Sequence, residues 1–289
     1  MKNIKSLRKD DGVVGIVAAF LIVGLIVAVI AMIQTQYVPK WMSEKEADHM
    51  NEVSDQFAKL KYAMDIHSAS EEKNTLISTT ITLGSKEMPY LMSVRAFGNL
   101  NFLNNGFNIS FIRNDSTKYY FNLGLLKYSS FNSYYINQNY IFEGGAIILS
   151  QDIGNVIYIK PSFSGSFADE ENFTIIYKMI DINTQGNRDS SVHGYGPVSI
   201  HTEYTDTISP SPIINISNMT ITTNYPSAWG SFINRTLINS GLNYNGYNTN
   251  YSIDVNESRV FVDFKDNIHV NLEYEIIRIN AQIYGRVER

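Results

Sequence analysis

The chain has no cysteine. Neither a disulfide nor a thiolate metal site can brace it, so whatever folds must be held by its own core. Histidine is scarce as well, five in 289 residues. His49, His67, His193, His201 and His269 contain no HExxH, and only His193 and His201 stand close, eight apart across glycines. No zinc signature is present. A GxSxG nucleophile elbow is missing, and so are the GxxxxGK and GxGxxG phosphate loops. Charge is sparse, 18% of residues with a net of −5, which argues against nucleic acid as a partner. Acid–base chemistry needs two carboxylates brought together. Glu143 and the run Asp169-Glu170-Glu171 qualify by residue type alone, and such a run ordinarily marks a solvated turn. Residues 181–189, DINTQGNRD, lack the spacing of an EF-hand calcium loop. No catalytic residue, metal ligand or cofactor is assigned, and a non-enzyme is expected.

Charge is missing altogether from residues 13–33, VVGIVAAFLIVGLIVAVIAMI. At ~1.5 Å per residue, 21 helical residues reach ~31 Å, the thickness of a bilayer's hydrocarbon core. A lone segment in lipid must be helical, because only a helix satisfies its own backbone groups. The run exceeds the usual secretory h-region of about 7–15 residues, and no A-x-A-like site closes it. Lys2, Lys5, Arg8 and Lys9 precede it, whereas Lys40 and Lys45 after it are offset by Glu44, Glu46 and Asp48. This bias predicts a cytoplasmic amino terminus and a single pass, with the bulk of the chain extracellular. The domain plan is therefore a basic leader at 1–12, a transmembrane helix at 13–36, an amphipathic stalk helix at 37–67 and an outer β-rich domain at 68–289. Without the leader, 19 basic residues face 26 acidic ones, a net of −7.

Tyr37 and Trp41 suit the headgroup level. Pro39 between them predicts a kink or break. Ser43 with Glu46 has capping-box spacing and would restart the helix. Met50, Val53, Phe57, Leu60 and Met64 then recur at three and four. That stripe packs either on the outer domain or on the helices of neighbouring subunits.

Beyond residue 75 the pattern is β. Strands are expected at 76–83, 100–103, 107–112, 118–126, 134–142, 146–149, 156–159, 174–182, 197–204, 213–222, 251–255 and 260–264. Asn105-Gly106 reads as a hairpin turn, Gly144-Gly145 as another, and Pro89 as a third. Ser209-Pro210-Ser211-Pro212 marks an internal joint, because two prolines in four residues forbid a ladder interior. Residues 227–238 read as the one outer helix, with Trp229, Phe232, Ile233 and Leu237 on one face. In the last strand Ile268, Val270, Leu272, Tyr274 and Ile276 alternate with polar residues. The phase then shifts to Ile277, Ile279, Ala281 and Ile283, which suggests a bulge or a crossing between sheets. The fold class expected is mainly β with a long N-terminal helix, the outer domain an antiparallel sandwich. Tyr134, Tyr135, Tyr140, Tyr244, Tyr247 and Tyr251 either fill that sandwich or contact a surface protein or glycan.

Eight Asn-x-Ser/Thr sequons occur, at Asn108, Asn114, Asn172, Asn215, Asn218, Asn234, Asn250 and Asn256. All lie on the side read as extracellular and are candidates for glycosylation.

The basic lead, the small Gly12 and the uninterrupted apolar helix from Val13 resemble the class III signal of archaeal type IV pilins and archaellins. The resemblance implies cleavage between Gly12 and Val13, with the helix kept on the mature protein; the alternative is an uncut signal anchor. Asp10 and Asp11 stand where that family often has a basic residue, and the fifth mature residue would be Val17 rather than glutamate. The stretches at 37–57, 79–90, 127–149 and 224–229 are similar to a group of archaeal membrane-anchored surface proteins with pilin-like amino termini. The likeness covers most of the chain and implies no activity. The function expected is a non-catalytic cell-surface protein for surface structure or adhesion, its helix partnered by membrane lipid or by other pilin-like subunits. A minor pilin or pseudopilin, and a membrane-tethered enzyme acting on glycans, are the alternatives.

Overall fold

The computed structural model describes residues 7–85, 96–184, 186, 188–244 and 249–284. Helix α1 (Leu7–Met32) passes through a π-helical turn, Ile33–Tyr37, straight into α2 (Val38–Ser70). The 58 residues from Val13 to Ser70 form one rod, ~87 Å long. The expected break at Pro39 does not occur. In the widened turn the Val38 N–H reaches back to the Ile33 carbonyl. Pro39 then falls in the first turn of α2, where a missing N–H is tolerated. No restart at Ser43 is needed, and Glu46 is used elsewhere.

The large apolar residues of α1 between Val13 and Met32 are 45–73% exposed. Along α2 the same backbone is packed: Met42, Met50, Val53, Phe57, Leu60 and Met64 are at most 2% exposed. Of the two packings open to the stripe, it takes the β domain. At about 1.5–3 kcal/mol for each large apolar side chain, this seam contributes on the order of 10 kcal/mol.

The strands are β1 (Leu76–Thr82), β2 (Phe97–Arg113), β3 (Lys118–Phe131), β4 (Gln138–Glu143), β5 (Ala146–Gln151), β6 (Gly154–Ile159) and β7 (Ser162–Phe167). They continue with β8 (Asn172–Asn183), β9 (Ser190–Gly194), β10 (Pro197–Ile208) and β11 (Ile216–Thr222). After helix α3 (Pro226–Asn239) come β12 (Tyr251–Val255), β13 (Arg259–Phe264) and β14 (His269–Tyr284). Among the described residues these form a five-stranded sheet, β1-β10-β14-β8-β7, and a nine-stranded one, β12-β13-β11-β2-β3-β4-β5-β6 with β9 also on β2. All pairings are antiparallel except β8 with β14, which run parallel over twelve residues from His269↔Asn172 to Asn280↔Asn183. Residues 209–212 carry the chain from the end of β10 in one sheet towards β11 in the other.

Two local expectations are corrected, and one of the two readings of the last strand falls away. Asn105-Gly106 is not a hairpin: β2 runs on through it, with Asn104, Asn105 and Gly106 opposite the single Gly124. A turn-forming dipeptide can equally serve a bulge when the residues on both sides keep the same partner strand. The strand expected from 134 begins only at Gln138, because residues 133–135 are held by the stalk. The last strand carries no bulge in its pairing with β8; the irregularity is on its neighbour β10, between Tyr204 and Asp206. Pro89 and Tyr247 lie outside the described residues.

The phase shift in β14 marks a crossing, the second of the two expected readings. Val270 and Leu272 face one core, shared with Phe173, Ile175, Tyr177, Phe107, Ile109, Met219 and helix α3. Ile277, Ile279 and Ala281 face a second core, shared with Ile180, Ile182, Leu100, Phe102, Tyr128 and the α2 stripe. Side chains of opposite parity point to opposite faces. Each sheet therefore covers one core with one face and the other core with its reverse face. The sheets cross rather than stack along their whole length. They meet at Gly124, whose N–H bonds the Asp181 carboxylate at 3.0 Å. A Cβ there would stand 1.7 Å from the Ile182 carbonyl oxygen. Gly124→Ala should therefore destabilise the protein by about 3 kcal/mol or more. The control Gly196→Ala, whose Cβ would meet nothing within 4 Å, should stay within about 0.5 kcal/mol. Urea unfolding of the detergent-solubilised chain measures both.

Candidate functional site

The bare apolar helix continues without a linker into α2, where the β domain takes hold of it. One side of α2 presents its apolar stripe, and polar side chains fasten the flanks. The Glu46 carboxylate is fully buried. Its Oε1 accepts the Ser133 N–H at 3.0 Å, and its Oε2 accepts those of Tyr134 and Tyr135 at 2.7 Å each. Three charge-assisted bonds offset the cost of burying the anion and fix the β3–β4 loop to the stalk. The spacing held this signal: Glu46 lies four residues from both Met42 and Met50, on the buried stripe.

Further along, Gln56 acts as a side-chain extension of the ladder at the edge strand β1. Its Oε1 accepts the Thr82 N–H at 2.7 Å, and its Nε2 donates to the Thr82 hydroxyl at 2.8 Å. His49 Nε2 donates to the Thr82 carbonyl at 3.0 Å, and His67 Nε2 to the Thr202 carbonyl at 3.1 Å. Burial lowers both imidazole pKa values, against the opposing pull of those carbonyls and of nearby acids. Both rings tie the stalk to the sheet, and neither Nδ1 has a partner.

Glu143 ends β4 at the wall between the two cores and is fully buried. Its Oε1 accepts the Thr223 hydroxyl and the Trp229 indole N–H, each at 2.7 Å, while Oε2 has no partner. Desolvation pushes its pKa up to about 7, with the two hydrogen bonds pulling the other way. Tyr177 beside it donates to the Gly144 carbonyl at 2.8 Å. The glycine turn supplies positive φ at Gly144 and Gly145, as the hairpin expectation requires.

The carboxylates singled out in the sequence are not brought together. Glu143 is inside the protein, whereas Asp169 is exposed and occupied with the N–H groups of Glu171 and Asn172. An open groove of about 230 Å³ lies between Ile176, Lys178, Glu273 and Glu275 on one side and Pro210 and Pro212 on the other. It includes none of them, and its Lys178 and Glu275 are paired at 2.7 Å. Among the described residues no group of three His, Cys, Asp or Glu could hold a metal. In the 181–189 segment Asp181 bonds Gly124 and Asp189 bonds Asn104. Of the tyrosines, Tyr140 and Tyr251 are buried in or against the cores, and Tyr134 and Tyr135 lie in the loop held by Glu46.

The sequons divide by exposure. Asn114, Asn215 and Asn256 are exposed in turns. Asn114 and Asn215 sit side by side, the N–H of the first donating to the carbonyl of the second at 3.0 Å. Asn108, Asn172, Asn218 and Asn234 are half-buried, and Asn250 is buried. The Asn172 amide nitrogen is already committed to both Asp169 oxygens at 2.9 Å, and Asn234 Oδ1 accepts the Tyr251 hydroxyl at 2.7 Å. Gly12 and Val13 are consecutive residues of α1.

No family model, no curated protein and no solved structure matches this chain.

Two outcomes follow from this geometry. A carboxyl whose pKa is raised from 4.5 to about 7 on folding contributes stability that is complete below pH 4.5 and lost as pH rises through 7. The loss is at most about 3 kcal/mol. Glu143→Gln should flatten the alkaline limb of a stability-versus-pH curve measured by urea titration. Glycopeptide mass spectrometry of the protein from its native host should find glycan at Asn114, Asn215 or Asn256 in preference to Asn172, Asn234 and Asn250.

Proposed function

We propose that this protein is a non-catalytic, membrane-anchored cell-surface protein. One observation carries the reading: a single helix is wholly exposed and apolar over residues 13–32 and buries its apolar stripe in a β domain over the turns that follow. An exposed helix with no charged or polar side chain is stable only where water is excluded. The basic lead sets the orientation, with the amino terminus cytoplasmic and the β domain outside. The outer domain then serves surface structure or adhesion, presenting sequon-bearing turns and loops to neighbouring protein or glycan.

A second reading shares the same helix. Since α1 is exposed on every side, it can exchange lipid for the helices of like subunits, as a minor pilin in a type IV filament would. Processing between Gly12 and Val13 belongs to that reading. The resemblance of the amino terminus to class III signals supports both readings, and the length of the outer domain favours the anchor or a minor subunit over a densely packed major one.

The absence of cysteine makes the test direct, since any introduced thiol is unique. Ser258→Cys, in the exposed turn after β12, should react with a membrane-impermeant maleimide on intact cells. Ser6→Cys should react only after permeabilisation, or vanish from the mature chain if the leader is cut. The protein should stay in the membrane pellet through an alkaline carbonate wash. Labelling in the reverse order, or release into the soluble fraction, would overturn the reading. An intact mass beginning at Val13 rather than Met1 decides in favour of pilin-type maturation.

A further inference from the structure

We propose that the end of the β domain nearest α1 rests on the lipid surface, seated by a rim of exposed aromatic and apolar side chains. The inference depends on the membrane-anchor reading above and extends it from the helix to the domain.

The first ground is the lack of a spacer. Val38 is already buried, five residues beyond Ile33, so the domain begins ~8 Å past the end of the apolar run. The headgroup layer on each side of a bilayer is itself ~5–8 Å thick. A domain fixed that close to a membrane span must meet the headgroups on any side towards which the span leans.

The second ground is what that end presents. On the stalk, Tyr37 and Trp41 are exposed with ring centroids 5.8 Å apart. In the domain, Phe97 and Phe131 form a cross-strand pair stacked at 4.6 Å, and the Tyr195 ring meets Phe97 edge-on at 6.3 Å. These three rings are 41–44% exposed, and Ile136 in the next loop is 50% exposed. Tyrosine and tryptophan with flanking apolar groups are the side chains that settle at a bilayer interface. Lys40 and Lys45, exposed on the first turns of α2, are offset there by the exposed Glu44 and Asp48, so the seating is aromatic and apolar rather than electrostatic.

The third ground is that the rim is held to the stalk. The β3–β4 loop that carries Ile136 is clamped by Glu46 at 133–135, and Asn132 Nδ2 donates to the Ile136 carbonyl at 2.9 Å. The Tyr195 carbonyl accepts the Gly84 N–H at 3.0 Å, just past the end of β1 where His49 is tied. Glu46 lies ~20 Å along the helix from Ile33, so the rim stands above an upright span. Packed layers are ~10 Å apart, and Phe97 and Phe131 lie on the far face of the sheet whose Tyr128 meets Phe57 of α2, so their rings stand roughly 15–20 Å off the helix axis. A tilt of ~30°, within the range that membrane spans adopt, shortens the rise to ~17 Å and lowers the rim by ~8–10 Å, to ~7–9 Å above the end of the apolar run. Tilt towards this rim brings the aromatic rings to headgroup level.

The test uses the full chain in phosphatidylcholine–phosphatidylglycerol vesicles, with single cysteines carrying a small fluorophore. Ile136→Cys reports the rim, Ser258→Cys a remote turn, and Phe20→Cys the span. The expected result is that the label at 136 is quenched by headgroup-level quencher lipids and is several-fold less accessible to iodide than the label at 258. Overturning results are of two kinds. The label at 136 could be as open to iodide as that at 258 while the label at 20 is shielded, which removes the docking but leaves the anchor. It could instead be shielded from iodide yet untouched by the quencher lipids, which would assign the rim to a second copy of the chain. A label at 20 open to iodide would show that the anchor reading itself had failed, and the docking with it.

Discussion

A helix satisfies its own backbone groups whatever surrounds it, and this chain uses a single helix in two surroundings. Over residues 13–32 the apolar side chains stand exposed; over α2 the same kind of surface is buried between two sheets. The join has no linker, only the π turn at Ile33–Tyr37. The rest of the molecule depends on that continuity. The five-stranded sheet and one half of the nine-stranded sheet close their second core on the α2 stripe. Without Phe57, Leu60 and Met64 that core would have an open side. The polar ties at Glu46, His49, Gln56 and His67 then fix the domain's rotation about the helix, which apolar packing alone constrains weakly.

The other organising contact is the crossing of the sheets. Two cores on opposite faces let a domain of this size keep each core within two packed layers. The β4–β5 hairpin is the shared wall: Ile141 and Ile148 look into one core, Phe142 and Ile147 into the other. Glu143 sits at its end, joining α3 to the wall through Trp229 and Thr223. Its ionisation and that of the buried histidines oppose each other in pH. The histidines weaken the fold as pH drops below the ordinary imidazole range, and the glutamate weakens it as pH rises through neutrality. The contributions of these three groups taken together are most favourable in a mildly acidic window.

Much of this was legible in the residues. The apolar run, the amphipathic stripe, the helix around Trp229 and most strands declare themselves by period, because one-sided burial leaves a period of 3.6 or 2 in the sequence. The phase change at Ile276-Ile277 was visible, but its meaning was not: a bulge and a change of buried face leave the same trace. Asn105-Gly106 misled because turn chemistry is local, while the partner that keeps β2 straight is ~20 residues away. The parallel register of β8 and β14 left no trace at all, since paired residues such as Asn172 and His269 are separated by 97 positions. Glu46 was read as a helix cap because Ser43 stands three before it. What decided its role was a loop near residue 134, and only the folded chain brings the two together. Candidate chemistry was legible mainly as absence. The carboxylates that drew attention by type are dispersed between core and turn.

The π turn has a geometric meaning beyond accommodating Pro39. A helix advances 100° per residue, so each residue inserted or removed between α1 and α2 swings everything downstream by about a quarter-circle and lifts or lowers it by ~1.5 Å. The turn holds one residue more per hydrogen-bonded ring than an α-helix does. It therefore acts as the vernier of the molecule. The compass bearing of the whole outer domain, and which of its sides looks down at the lipid or across at a neighbour, is dialled in at these five residues.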